Sequence, residues 1–155
     1  MIQPYICLHI CSTFTRVSIH TYSSMSDTTY THTHTHTHHI LSGAIATLRR
    51  CDITRAGFAG LEVSGVGSSL RVVWTRVHGS RRGGILAMAG ADLLVNHCLV
   101  SSSSLAGVDV RGRSTGAVLR SRIEGGRSSG LYVHDAGRVV AAGNSIWGES
   151  FKGQS

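Results

Sequence analysis

"GLEV" (60–63), "GILA" (84–87), "GVDV" (107–110) and "GLYV" (130–133) are one tetrapeptide written four times along a chain of 155 residues. The leading glycines, Gly60, Gly84, Gly107 and Gly130, stand 24, 23 and 23 residues apart. Each is followed by an aliphatic residue, a variable one, and then Val63, Ala87, Val110 or Val133. A second register runs through Ile53, Val77, Leu99, Ile123 and Ile146, and a third, five residues earlier in each repeat, through Leu48, Val72, Leu94, Val118 and Ala141. Three registers in step over about four and a half repeats define a solenoid, in which each repeat is one structural unit.

The pieces between the turns settle which solenoid. "LRRCDI" and "GLEV" are short and alternate apolar with polar residues, while Gly, Ser and Arg fill the gaps. Alternation over four to six residues predicts strands, and the Gly and Ser clusters predict turns. No repeat has room for a helix of about 10 residues at helical apolar spacing, which excludes leucine-rich, ankyrin and tetratricopeptide architectures. The expectation is an all-β fold: a right-handed single-stranded parallel β-helix of about 4.5 rungs of 22–24 residues. Its rungs stack about 4.8 Å apart, giving a length of roughly 22 Å. The recurrent glycine is expected at the turn into a strand, where a positive φ or a close approach to the next rung penalises any Cβ. Exposed edges at both ends make end-to-end self-association an expected partner mode.

Residues 44–149 carry the repeat, residues 150–155 form a tail, and residues 1–43 stand apart. That first segment holds seven of the ten histidines and the run "THTHTHTHH" (31–39). Histidine-rich tracts ligate zinc, copper or nickel, yet a dinucleotide repeat read in frame also alternates Thr and His codons. The segment is read as low-complexity and disordered, with no metal site and no cofactor. Cys7 and Cys11 lack a second ligand pair, and the four cysteines are too sparse for a disulfide framework, so reduced thiols are expected. The apolar stretch Tyr5–Ile10 is broken by His9 and has no basic flank, which makes a poor secretory signal. No run approaches the roughly 18 apolar residues of a membrane span, so no membrane partner is expected.

The stretch "VLRSRIEGGRSSGLYVHDAGRVVAAGNSIWG" (118–148) resembles the right-handed β-helix repeats of the carbohydrate-binding and sugar-hydrolase domain group. It is most similar to the β-helix of F-box-only ubiquitin-ligase adaptors. Rungs of that family carry an asparagine two residues before the inward isoleucine and a Gly-Gly-aliphatic-aromatic-Val-His strand. The asparagine position is held here by Cys51, Thr75, His97, Ser121 and Asn144, so only the last keeps the amide. The resemblance spans residues 44–148 and implies a fold more than a function. No F-box pattern precedes the repeats, and a ligase-adaptor role is not carried over.

Function on such a solenoid belongs to outward positions. The variable residue after the glycine reads Glu62, Leu86, Asp109, Tyr132; the next outward column reads Ser64, Met88, Arg111, His134; a third reads Thr54, His78, Val100, Glu124, Trp147. Asp109, Arg111, Tyr132 and His134 are therefore the candidate binding residues, a polar and aromatic patch suited to a carbohydrate or a protein ligand. No catalytic residue is assigned. Glycoside hydrolysis needs two carboxylates about 5 to 9.5 Å apart, calcium-dependent lyases need clustered acids, and the seven acids from residue 44 onward are scattered. Epimerases resembling this fold carry an Asp-Pro-His-Glu motif, and the only proline is Pro4. The net charge of +7 comes from 14 arginines and one lysine and favours anionic partners. Aromatic residues interleaved for base stacking are missing, which disfavours nucleic acid. The expected role is a non-catalytic binding or interaction module. A polysaccharide-modifying enzyme with a degenerate site is the alternative, and arginine-mediated binding of an anionic partner or nucleic acid a second.

Overall fold

A computed structural model describes residues 8–11, 31–33, 38–41 and 43–148. Each repeat of aliphatic pieces becomes three short strands, because a strand of three to five residues buries alternate side chains and a turn then redirects the chain. The first sheet stacks β1 (Leu8–Cys11), β4 (Ile45–Arg49), β7 (Ser69–Val73), β10 (Asp92–Asn96), β13 (Thr115–Leu119) and β16 (Arg138–Ala142). The second stacks β2 (Thr31–Thr33), β5 (Asp52–Thr54), β8 (Arg76–His78), β11 (Leu99–Ser101), β14 (Arg122–Glu124) and β17 (Ser145–Trp147). The third stacks β3 (His38–Leu41), β6 (Leu61–Ser64), β9 (Ile85–Met88), β12 (Val108–Val110) and β15 (Leu131–Val133). Neighbours pair in parallel, except that β1 runs antiparallel against β4. The described residues form no helix, and the result is a three-sided parallel β-solenoid of about four turns.

Three described strands fall within residues 1–43. The pairing Ile40↔Val63 carries an inward column one rung beyond the repeat, and Ile40 is buried. The remainder of that segment, including most of the Thr-His run, and the tail 150–155 lie outside the described residues. Cys51 is disulfide-bonded, which corrects the expectation of reduced thiols throughout. Cys98 is free and buried, and burial pushes its thiol pKa up.

Inward residues stack like on like. Ile53, Val77, Val100, Ile123 and Ile146 form one column, and Leu48, Val72, Val95, Val118 and Ala141 another. Each fully buried aliphatic side chain contributes about 1.5–3 kcal/mol of transfer free energy. The third coil corrects the expected registers by one residue: Val95 replaces Leu94, Val100 replaces Leu99, and the outward partner of His78 is Ser101 rather than Val100. The segments "LLV" and "LV" offer aliphatics at adjacent positions, so period-2 contrast vanishes there and only strand pairing fixes the face.

The polar ladder slips with them. Cys98, not His97, stands in line with Cys51, Thr75, Ser121 and Asn144. Hydroxyls do the amide's work in the middle rungs: Thr75 Oγ1 accepts from Cys51 N at 3.3 Å, and Ser121 Oγ from Cys98 N at 3.1 Å. Asn144 Oδ1 accepts from Ser121 N at 2.8 Å. The recurrent glycines have no positive φ. Their constraint is proximity: a Cβ on Gly107 would lie 2.5 Å from Ile123 Cγ2 and 2.7 Å from the Gly130 carbonyl oxygen.

Candidate functional site

The outward face of the third sheet is built by register. Glu62↔Leu86, Leu86↔Asp109 and Asp109↔Tyr132 pair across β6, β9, β12 and β15, so these side chains stand in one column. Arg111 and His134 follow two residues after Asp109 and Tyr132, on the same face by strand alternation. Asp109, Arg111, Tyr132 and His134 are thus brought together, and all four line one cleft of about 260 Å³. Its floor also includes Leu86, which is buried.

The cleft has a wall that periodicity does not reveal. The turns leading into the third sheet carry Phe58, Arg82, Leu105 and Ser128, which stack into a ridge beside the floor. Backbone bonds tie the ridge rung to rung: Arg82 N donates to Phe58 O at 3.0 Å, and Leu105 N to Arg82 O at 2.8 Å. The Arg82 guanidinium lies 4.6 Å above the Phe58 ring, which fixes both side chains. These residues differ in type from rung to rung, so no repeated letter marks them. The only signal was a turn position holding large side chains beside glycines.

His134 organises the polar end. Its Nδ1 lies 3.0 Å from Asp135 Oδ2 and its Nε2 3.2 Å from Asp109 Oδ1. The Nε2 and Oδ1 atoms are both closed off from solvent and are close without being aligned as a hydrogen bond. The Tyr132 ring packs against the imidazole with centroids 4.4 Å apart. Asp109 is four-fifths buried, and that desolvation pushes its carboxyl above the usual carboxylate range, against the opposing charges of Arg111 and His134. Arg111 Nη2 rests 3.9 Å from Met88 Sδ.

The chemistry available follows from this inventory. Among the described residues Asp109 is the one acid lining the cleft; Asp135 contacts His134 Nδ1, and Glu62 stands two strands from Asp109 with Leu86 between them. Two carboxyls flanking a scissile bond, as glycoside hydrolysis needs, are not present in the described cleft. Among the described residues no three His, Cys, Asp or Glu side chains gather as metal ligands. On the second sheet, buried Asp52 meets His78 Nε2 at 3.1 Å and Arg76 at 3.8 Å. A family model described as the right handed beta helix region matches residues 15–154. No curated protein matches the chain.

Proposed function

The chain belongs to the right-handed β-helix family, and from that premise we propose that it is a non-catalytic binding module whose ligand is a carbohydrate held in the cleft of the third sheet. One observation carries this reading. The cleft combines an aromatic floor residue, Tyr132, with arginine, histidine and aspartate side chains from adjacent rungs, and among the described residues it holds a single lining carboxyl. A concave site with apolar lining and a few fixed polar groups is the usual form of a small-ligand seat. At about 260 Å³ the cleft accommodates a short saccharide segment.

A second reading rests on Asp109. Its buried carboxyl, pushed up and coupled to His134, has the character of a proton-carrying group in a sugar-modifying enzyme. A glycan array read beside a reducing-end and unsaturated-uronate assay separates the two. The binding-module reading expects saccharide capture without turnover. Turnover that disappears in Asp109→Ala refutes it in favour of the enzyme, and capture of protein ligands alone refutes the carbohydrate.

A further inference from the structure

Resting on that reading, we infer that the saccharide bears an anionic group, a carboxylate or a sulfate or phosphate ester, seated between Arg82 and Arg111. Both arginines line the cleft, one on its wall and one on its floor. Ion pairs among the described residues join Asp52 to Arg76 and His78, Glu124 to Arg122, and Asp109 and Asp135 to His134. None reaches Arg82 or Arg111.

Both arginines are nevertheless held in place. Arg82 Cζ lies over the Phe58 ring, 4.6 Å from its centroid, and Arg111 Nη2 rests 3.9 Å from Met88 Sδ. These supports hold the guanidinium groups while consuming few or none of their five N–H donors. Much of the rotamer entropy that a free surface arginine gives up on binding an anion is therefore already lost.

Charge balance points the same way. Against these two cations the described lining sets only Asp109, whose carboxyl is already coupled to Arg111 and His134 and is pushed up by desolvation. The local excess is positive, and the planar fork of a guanidinium matches a carboxylate, sulfate or phosphate through paired hydrogen bonds. A neutral sugar hydroxyl satisfies the donors but leaves the charge uncompensated.

The test compares neutral, uronate-bearing, sulfated and phosphorylated oligosaccharides of one backbone on the array, followed by calorimetry of the tightest binder at low and high salt. Acidic members are expected to bind at least tenfold tighter than the neutral one, and which acid binds best identifies the anion's source. Arg82→Gln, at an exposed turn position, and Arg111→Gln are each expected to lower affinity for the acidic member about tenfold or more and to flatten its salt dependence. Each should lower affinity for the neutral member less than for the acidic one, and Arg111→Lys should restore part of the loss on the acidic member. Equal binding of neutral and acidic members, or equal losses for both in Arg82→Gln, overturns this inference and leaves the carbohydrate reading standing. Capture of phosphopeptide or nucleic acid with no saccharide bound overturns both.

Discussion

Two adjacent glycines in "SRRGGILA" give the sharpest test of how the coils stack. A Cβ on Gly84 would lie 2.3 Å from Val100 Cγ1 and 2.5 Å from the Gly107 carbonyl oxygen. A Cβ on Gly83 meets nothing nearer than Ala106 O at 3.5 Å, and neither glycine has a positive φ. The Gly107 carbonyl cannot retreat freely, because it accepts the rung-joining hydrogen bond from Ile85 N at 2.9 Å. Gly84→Ala must therefore spread two coils or break that bond. Overpacking of this kind costs about 1–3 kcal/mol, and the lost bond adds about 1 kcal/mol, so a loss of about 2–4 kcal/mol is expected. Gly83→Ala restricts the unfolded chain without a native clash and is expected to be neutral or to stabilise by up to about 1 kcal/mol. Urea denaturation followed by circular dichroism measures both, with an unchanged m-value showing that stability alone has moved. A Gly84→Ala cost below about 1 kcal/mol, or a Gly83→Ala cost equal to it, refutes the close-stacking account.

Other substitutions probe the ladder, the register and the cleft. Ser121→Ala removes the hydroxyl that accepts from Cys98 N and donates to Leu119 O at 2.8 Å; calorimetric melting should show a loss of about 1–3 kcal/mol. Val100→Asp places a charge in the core column and should abolish folding, whereas Leu99→Asp, registered between Arg76 and Arg122, should change stability by less than about 1 kcal/mol; chemical denaturation of the pair decides between the two registers. Because burial raises the Asp109 carboxyl, the folded chain keeps that proton to a higher pH than the unfolded one. The contribution of Asp109 to stability is then greatest at acid pH and falls as pH rises from the ordinary carboxylate range through the raised folded value. Melting curves across that window should show a fall that Asp109→Asn removes, and a rise with pH that the same substitution removes contradicts the assignment.

Much of this molecule is legible as letters, and the illegible parts have physical causes. The glycine column and its inward aliphatics repeat because each rung touches only its neighbours, so the same steric demand recurs every 23 or 24 residues. The third coil misleads because Leu93, Leu94 and Val95 are all aliphatic, and a run without alternation does not say which face is inward. The strands Thr31–Thr33 and His38–Leu41 are hidden for the opposite reason: within them only Ile40 and Leu41 offer apolar side chains, and the backbone pairs with a finished rung regardless. The cleft floor, with Asp109, Arg111, Tyr132 and His134, follows from strand alternation. The ridge of Phe58, Arg82 and Leu105 does not, because turns are set by backbone geometry and leave their outward side chains free to vary. The Asp135 contact with His134 is likewise invisible, since it depends on the turn at positive φ that folds residue 135 back toward its neighbour.

The most direct test of the central claim is a map of amide chemical shifts during titration with the oligosaccharide that the array selects. Shifts are predicted to cluster at Leu86, Asp109, Arg111, Tyr132 and His134 on the floor and at Phe58, Arg82 and Leu105 on the ridge, and Tyr132→Ala should abolish them while the rest of the spectrum stays folded. Shifts confined to the first or second sheet, or undiminished in Tyr132→Ala, contradict the account.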